Sequence, residues 1–303
     1  MRNKKILIML PLVLLLSACA KEEPKTNTNH MNSMSTVTSN QEADLITCSP
    51  DNHGVGNGTI KSIDGLTLNL VSSGFESNVE STLTLQVKDK SGKALTDFSI
   101  VHTKPMHLIL VKKDLNGYLH LHPVVDENGN WSTPVTFPSG GEWQVVADVQ
   151  TIEGKTYNLG TFINVKGATE SFTLPTPDDK ISIDGIDISI SGMINPDSHG
   201  MLMLTASKEG NPITIEPYLG ANAHLVAIKT DGSYAHMHPH SIKSMDACPE
   251  GEMPVNDPYA QEDAMMGMMH FMTEVPGAGT YRFFLQFQYE GVVHTGMFTA
   301  EVN

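Results

Sequence analysis

The chain is poor in positive charge, in cysteine and in long apolar runs. Its 303 residues carry 19 Lys and Arg against 34 Asp and Glu, for a formal net charge of −15. So acidic a balance argues against nucleic acid or anionic lipid headgroups as partners, because both demand basic patches. It is compatible with binding cations, and equally with plain solubility. The longest apolar run, Ile6 to Leu16, has eleven residues, too few for a membrane-spanning helix, which needs about 20. There is no His-Glu-x-x-His, no Gly-x-Ser-x-Gly and no phosphate-binding glycine loop, so the hydrolases and nucleotide enzymes built on those motifs are not indicated. Helical periodicity of useful length is also missing. The sequence has three cysteines.

What is present begins with a targeting signal in residues 1–18: Arg2, Lys4 and Lys5 precede the eleven-residue apolar run. Leu16-Ser17-Ala18-Cys19 then resembles the lipobox of bacterial lipoproteins, in which the cysteine is acylated and becomes the mature N-terminus. That resemblance implies an extracytoplasmic protein tethered to the cell membrane, its partner there being the lipid bilayer through acylated Cys19. Loss of residues 1–18 leaves 16 basic against 34 acidic side chains, a net of −18. Residues 19–45 are polar and read as a disordered tether. Cys48 and Cys248 remain as an even pair in a compartment where disulfides persist. A bridge, two free thiols, or thiolate ligands beside His53 and neighbouring methionines are the alternatives.

The rest of the chain repeats. Ser62-Ile-Asp-Gly65 returns as Ser182-Ile-Asp-Gly185, each followed by an alternating strand, and Phe137-Pro-Ser-Gly-Gly-Glu-Trp143 is answered by Val275-Pro-Gly-Ala-Gly-Thr-Tyr281. About seven short strands per unit, punctuated by Gly, Pro, Asn and Asp, predict two tandem immunoglobulin-like β-sandwiches. Domain 1 is placed at 46–166, a linker at 167–180 and domain 2 at 181–303, with a Met-rich insertion at 240–270.

The most informative part of the repeat is a hairpin. Met106-His107-Leu108 leads through Asp114 to Tyr118-Leu-His120-Leu-His122-Pro123, and Ala223-His224-Leu225 leads through Asp231 to Tyr234-Ala-His236-Met-His238-Pro239. Loops at 114–117 and 231–233 would pair Val111 with His120 and Ile228 with His236. Alternation then puts His107, His120 and His122 on one face, and His224, His236 and His238 on its counterpart. The first His of each set would lie diagonal to the last, near enough to share an ion at about 2.0 Å from each nitrogen. A structural His–Tyr–Asp hydrogen-bond network is the competing interpretation, since Ile109, Val111, Val226 and Ile228 share those faces.

The motifs Lys104-Pro-Met-His-Leu, Tyr118-Leu-His-Leu-His-Pro, Asn128-Gly-Asn-Trp and Gly140-Gly-Glu-Trp resemble the YtkA-like family of bacterial extracytoplasmic β-sandwich domains. Pro217-Tyr-Leu-Gly-Ala with Tyr234-Ala-His-Met-His-Pro resembles its secreted metal-binding relatives. The likeness covers residues 80–303 and implies fold and location more than activity. The insertion departs from it through Met265-Met-Gly-Met-Met-His-Phe-Met272. Thioethers with imidazole suit Cu(I), while Met also fills irregular apolar surface as a plain lid would. The resulting expectation is a lipid-anchored carrier, buffer or sensor of copper, Cu(I) or Cu(II), with zinc as the alternative metal and a membrane metal transporter as a partner. Two ions per chain are expected. Met106, His102, His270 and His294 are candidate additional ligands. Two other classes compete: a partner-binding sandwich module without metal, and a copper redox enzyme, because Tyr118-Leu-His-Leu-His resembles the His-x-His element of copper–zinc superoxide dismutases.

Overall fold

The computed structural model describes residues 48–50, 54–196, 200–237, 252–254 and 260–303. The leader, the tether with Cys19, His53, His238, Cys248 and most of the insertion lie outside this set, as does the side chain of His236. No helix among the described residues is long and apolar enough to cross a membrane. The described residues fall within one compact unit.

In chain order, β1 (Cys48–Pro50) precedes the first repeat. That repeat comprises β2 (Ser62–Ile63), β3 (Leu66–Leu70), β4 (Ser81–Lys88), β5 (His107–Lys112), β6 (Tyr118–Leu121), β7 (Val124–Val125), β8 (Trp131–Val135), β9 (Gly141–Gln150) and β10 (Thr156–Val165). The second comprises β11 (Lys180–Ile183), β12 (Ile186–Met193), β13 (Gly200–Lys208), β14 (Asn211–Pro212), β15 (Ala223–Lys229), β16 (Tyr234–Met237), β17 (Glu252–Pro254), helix α1 (Ala260–Met265), β18 (Met268–Thr273), β19 (Gly279–Tyr289) and β20 (Val292–Val302).

Each repeat is an all-β sandwich of two antiparallel sheets. The first has a five-stranded sheet ordered β2-β3-β4-β8-β7 and a four-stranded sheet ordered β10-β9-β5-β6. The second has β11-β12-β13-β14, with β18 also on β13, and the four-stranded β16-β15-β19-β20. The repeated Ile-Asp-Gly segments form tight hairpins because Asp64 and Gly65 (φ 51° and 87°), like Asp184 and Gly185 (φ 52° and 81°), take the left-handed conformation that such turns require. Strand β1 pairs with β17, Cys48 opposite Pro254, so the segment before the first repeat meets the insertion of the second.

Period-two alternation divides each four-stranded sheet into two apolar faces. Leu108, Leu110, Val145 and Ala147 fill the first sandwich with Leu83, Leu85, Trp131 and Trp143. Leu225, Ala227, Phe283 and Leu285 fill the second with Leu202, Leu204 and Phe298. The central strands of the opposite faces do not meet water, although Phe162 at the edge is 40% exposed. Ile109, Val111, Leu115 and Val146 of the first repeat pack against Val226, Ile228, Tyr234 and Phe284 of the second, in a third buried cluster. The two four-stranded sheets therefore lie back to back, and the rings of Tyr118 and Phe284 stack across the seam at 4.6 Å and 9°.

The expected hairpin registers are corrected by two residues. Ile109 faces His120 and Val111 faces Tyr118; Val226 faces His236 and Ile228 faces Tyr234. Each loop closes one residue earlier than expected, with Lys112 N–H donating to Gly117 O at 2.9 Å and Lys229 N–H to Ser233 O at 2.8 Å. Burial of Leu115 in the seam explains the first shift: Leu115 turns inward at φ 63° and donates to Lys112 O at 2.7 Å. A shift of two preserves which face each residue occupies, so the histidines stay together.

Both tryptophans, Trp131 and Trp143, belong to the first core, so tryptophan fluorescence reports that repeat alone. Phe284→Ala, made in the second repeat, is expected to destabilise the protein by about 3–5 kcal/mol and to lower the urea midpoint reported by that fluorescence. An unchanged midpoint would mean that the seam does not couple the repeats.

Candidate metal centre

The hairpin register places His107 directly opposite His122, one pair beyond Leu108 and Leu121. Their ring centroids are 5.0 Å apart, and His120 is 5.2 Å from His107 and 4.6 Å from His122. One ring nitrogen from each of the three lies within 4.8 Å of those of the other two. Alternation carries the trio onto the seam side, so the second repeat covers it: His107 and His120 are buried, and His122 is partly so.

Hydrogen bonds assign the tautomers. His107 Nε2 lies 2.9 Å from Val101 O and, facing a carbonyl, must donate; its Nδ1 then carries a lone pair. Gln286 Nε2 donates to Thr295 Oγ1 at 3.1 Å, which turns Gln286 Oε1 toward His120 Nδ1 at 2.9 Å. His120 Nδ1 donates there, and its Nε2 also carries a lone pair. Those two nitrogens are 2.9 Å apart; with the Gln286 amide in this orientation they need a cation between them, whereas the reversed amide lets His120 Nε2 donate to His107 Nδ1. A shared proton meets the need for a cation, and so does a metal ion, which at about 2.0–2.1 Å from each nitrogen would subtend roughly 90°. His122 Nε2 is buried and has no hydrogen-bond partner. Burial, followed by the neighbouring His107, Lys104 and His224, lowers its pKa from 6.5 to about 3, so it is a neutral ligand at neutral pH.

His224 reproduces the posture of His107, with Nε2 donating to Tyr218 O at 3.0 Å. The side chains of its own hairpin partners, His236 and His238, lie outside the described set, and among the described residues it neighbours the first trio. Its ring is 5.7 Å from His120, 6.3 Å from His107 and 5.3 Å from His102. His102 is itself 6.2 Å from His107 and sits in the turn Val101–Lys104, where both central residues, His102 and Thr103, have positive φ (46° and 67°). The second repeat has Leu219-Gly220 in the equivalent turn, and a Cβ on Gly220 would touch Thr103 at 3.2 Å. The two turns therefore abut.

Other expected ligands are placed elsewhere. Met106 belongs to the first sandwich core, one residue out of phase with His107. His270, on β18 of the outer sheet, bonds to Asp263 through Nδ1 at 3.0 Å. His294 stacks on Phe287 and bonds to Asp184 at 2.9 Å, on the core face of its sheet. The Met-rich segment is not a lid over the hairpins: it ends α1 and forms β18, where Met269 and Phe271 enter the second core and Met265 and Met266 are exposed. Backbone pairing fixes His236 opposite Val226; His238 lies outside the described residues. Two polar groups at the seam were not anticipated, Gln286 and Asp148, the latter accepting the Tyr234 hydroxyl at 3.0 Å. They stand at equivalent places in Gly141–Gln150 and Gly279–Tyr289, one cross-strand from His107 and the other from His224. A polar residue at the matching point of the two repeated strands was the available signal.

The family model described as a domain of unknown function, DUF8832, matches the chain twice, over residues 61–167 and 181–303. No curated protein matches the chain. Among solved structures it is similar to FdeC, an Escherichia coli adhesin (12% identity, TM-score 0.26, covering 80% of this chain and 65% of that one). It is similar also to a tetra-tandem repeat from the extending region of a large adhesion protein (11%, 0.25, 78% and 49%). A third is invasin, a bacterial integrin-binding protein (14%, 0.22, 78% and 39%). The chain spans less than two thirds of each of these three. The YtkA-like likeness is one of motifs and is not among these matches.

The lowered pKa of His122 gives the metal-free protein a defined acid response. Between about pH 6.5 and 3 the unfolded chain protonates this residue while the folded one does not, so stability falls as pH falls through that window. In the presence of chelator, the urea midpoint of wild type should drop more steeply from pH 7 to pH 4 than that of His122→Phe. Parallel profiles would show that the fold does not hold His122 neutral.

Proposed function

The chain belongs to the DUF8832 family, and from the histidine cluster we propose that it is an extracytoplasmic metal-binding protein that carries, buffers or senses copper, with zinc as the competing ion. The observation that carries this reading is the trio His107, His120 and His122, three imidazoles with ligand nitrogens within 4.8 Å of one another. Backbone and amide acceptors fix the tautomers of His107 and His120, the outer support that histidine ligands ordinarily receive. With the methionines of β18 elsewhere, the described donor set is imidazole, which suits Cu(II) and Zn(II) more than Cu(I), and Cu(II) binds such sets the more tightly. The charged start, the apolar run and Leu16-Ser17-Ala18-Cys19 support export and a lipid anchor, which would place the site outside the cytoplasm beside a membrane metal transporter.

A second reading, a structural or partner-binding pair of sandwiches without metal, has its own support. The chain of contacts from Val101 O through His107, His120 and Gln286 to Thr295 can be closed by one proton and would then join the repeats by itself.

Elemental analysis decides between them. Protein purified without a His tag should contain about one copper or zinc per chain, and the double substitution His120→Ala, His122→Ala should remove it. Changing Met265, Met266, Met268 and Met269 together to Leu should leave the metal content as it was. Metal-free wild type after equilibration with Cu(II) and Zn(II) would leave the structural reading standing.

A further inference from the structure

We propose that the ion is shared between the repeats: His224 supplies the fourth nitrogen to the His107, His120 and His122 trio, so the site is complete only when the two sandwiches are docked, and the bound ion pins them together. This rests on the metal-binding reading and adds a donor, a geometry and a consequence to it.

Three observations converge. His224 is fully buried, in the seam rather than in either sandwich core, with its ring 5.7 Å from His120 and 6.3 Å from His107. Its Nε2 is committed to Tyr218 O just as that of His107 is committed to Val101 O, which leaves Nδ1 as the coordinating nitrogen in both. Without an ion, the nitrogens that lie within 4.8 Å of one another are those of His107, His120 and His122, so the His224 ring, 5.7 Å from that of His120, closes onto the ion when it binds. Finally, the acceptor that sets the His120 tautomer is Gln286, which stands cross-strand from His224. The second repeat therefore already prepares a ligand of the first. Four imidazole nitrogens meet the coordination number of a closed zinc site and equally the tetragonal nitrogen set of Cu(II).

The shared ion has a mechanical consequence. Because donors come from β5 and β6 on one side and β15 on the other, releasing the ion and separating the sheets favour one another, and binding it favours docking. Of the histidines with described side chains, His102 and His122 are the more exposed members of the cluster, so an incoming ion would meet these before the buried three.

The test uses the full chain with one equivalent of Cu(II). Electron paramagnetic resonance should show four equatorial nitrogens in wild type and three in His224→Ala, with Cu(II) affinity in a chelator competition falling tenfold or more, the scale of loss seen even for outer supporting residues. The same nitrogen count and affinity in His224→Ala, with the His120→Ala, His122→Ala control still losing the ion, would overturn the shared site and leave the proposed function intact. Should His224→Ala not fold, hydrogen exchange of wild type decides. Cu(II) should slow exchange in both His107–Lys112 and Ala223–Lys229, whereas protection confined to the first repeat refutes the sharing. Wild type that binds no Cu(II) at all removes the proposed function and this inference together.

Discussion

The structure depends on the burial of one extra pair of faces. A two-sheet sandwich needs one apolar face per sheet, yet both four-stranded sheets here carry an apolar patch on the second face too, and those patches are satisfied by packing the repeats back to back. At roughly 25 cal/mol per Å² of buried apolar surface, side chains such as Ile109, Val146, Ile228 and Phe284 contribute substantially to that docking. Burial also raises the stakes for every polar group on the seam, since a buried donor or acceptor without a partner costs about 1–3 kcal/mol. The histidines lie at the end of the seam where His107 and His224 begin their strands. Their mutual hydrogen bonds, and any cation they hold, are the means by which that end is made compatible with burial.

Much of this was legible in the chain. Strand alternation is a strict period of two, so the membership of His107, His120 and His122 on one face survived even though both hairpin loops were placed one residue late. Loop placement failed because Asp114 and Asp231 look like first loop residues, whereas burial of Leu115 draws the first turn inward, a tertiary effect that local turn chemistry does not contain. The covering of the histidine face could not be read, because periodicity tells which residues share a face and not what lies against it. A face carrying both Ile109 and His120 is equally compatible with a metal hairpin open to water and with a sealed seam. The Met-rich segment misled for a related reason. Met265 to Met272 looks chemically distinctive, but β18 is the counterpart of β8 in the repeat, and Met269 and Phe271 pack in the second core.

Beside the cluster the two repeats differ at a turn. Where the second repeat turns with Leu219-Gly220, the first turns with His102-Thr103, and Thr103 is a β-branched residue at φ 67°, a conformation that such residues rarely adopt. Strain of this kind, on the order of 1–3 kcal/mol, persists where the surroundings over-determine it and tends to collect at functional sites. A relaxed alternative is present in the same molecule, one repeat away. What the strained version brings is an imidazole 5.3 Å from His224 and 6.2 Å from His107.

The exchange of Asp148 for Gln286 at equivalent positions follows the same logic. A carboxylate beside an imidazole N–H stabilises the imidazolium and so raises the proton's claim on the other nitrogen. An amide oxygen accepts the same hydrogen bond without that charge. By facing His120 Nδ1 with Gln286, the protein fixes the tautomer that turns Nε2 toward His107, and does so without strengthening the proton as a competitor for the position between them. One oxygen of the Asp148 carboxylate accepts the Tyr234 hydroxyl at 3.0 Å, a group that burial and Asp148 itself keep protonated and that can therefore serve as a permanent donor. The histidine pair is thereby left as the place on the seam where an added positive charge relieves, rather than creates, an electrostatic cost.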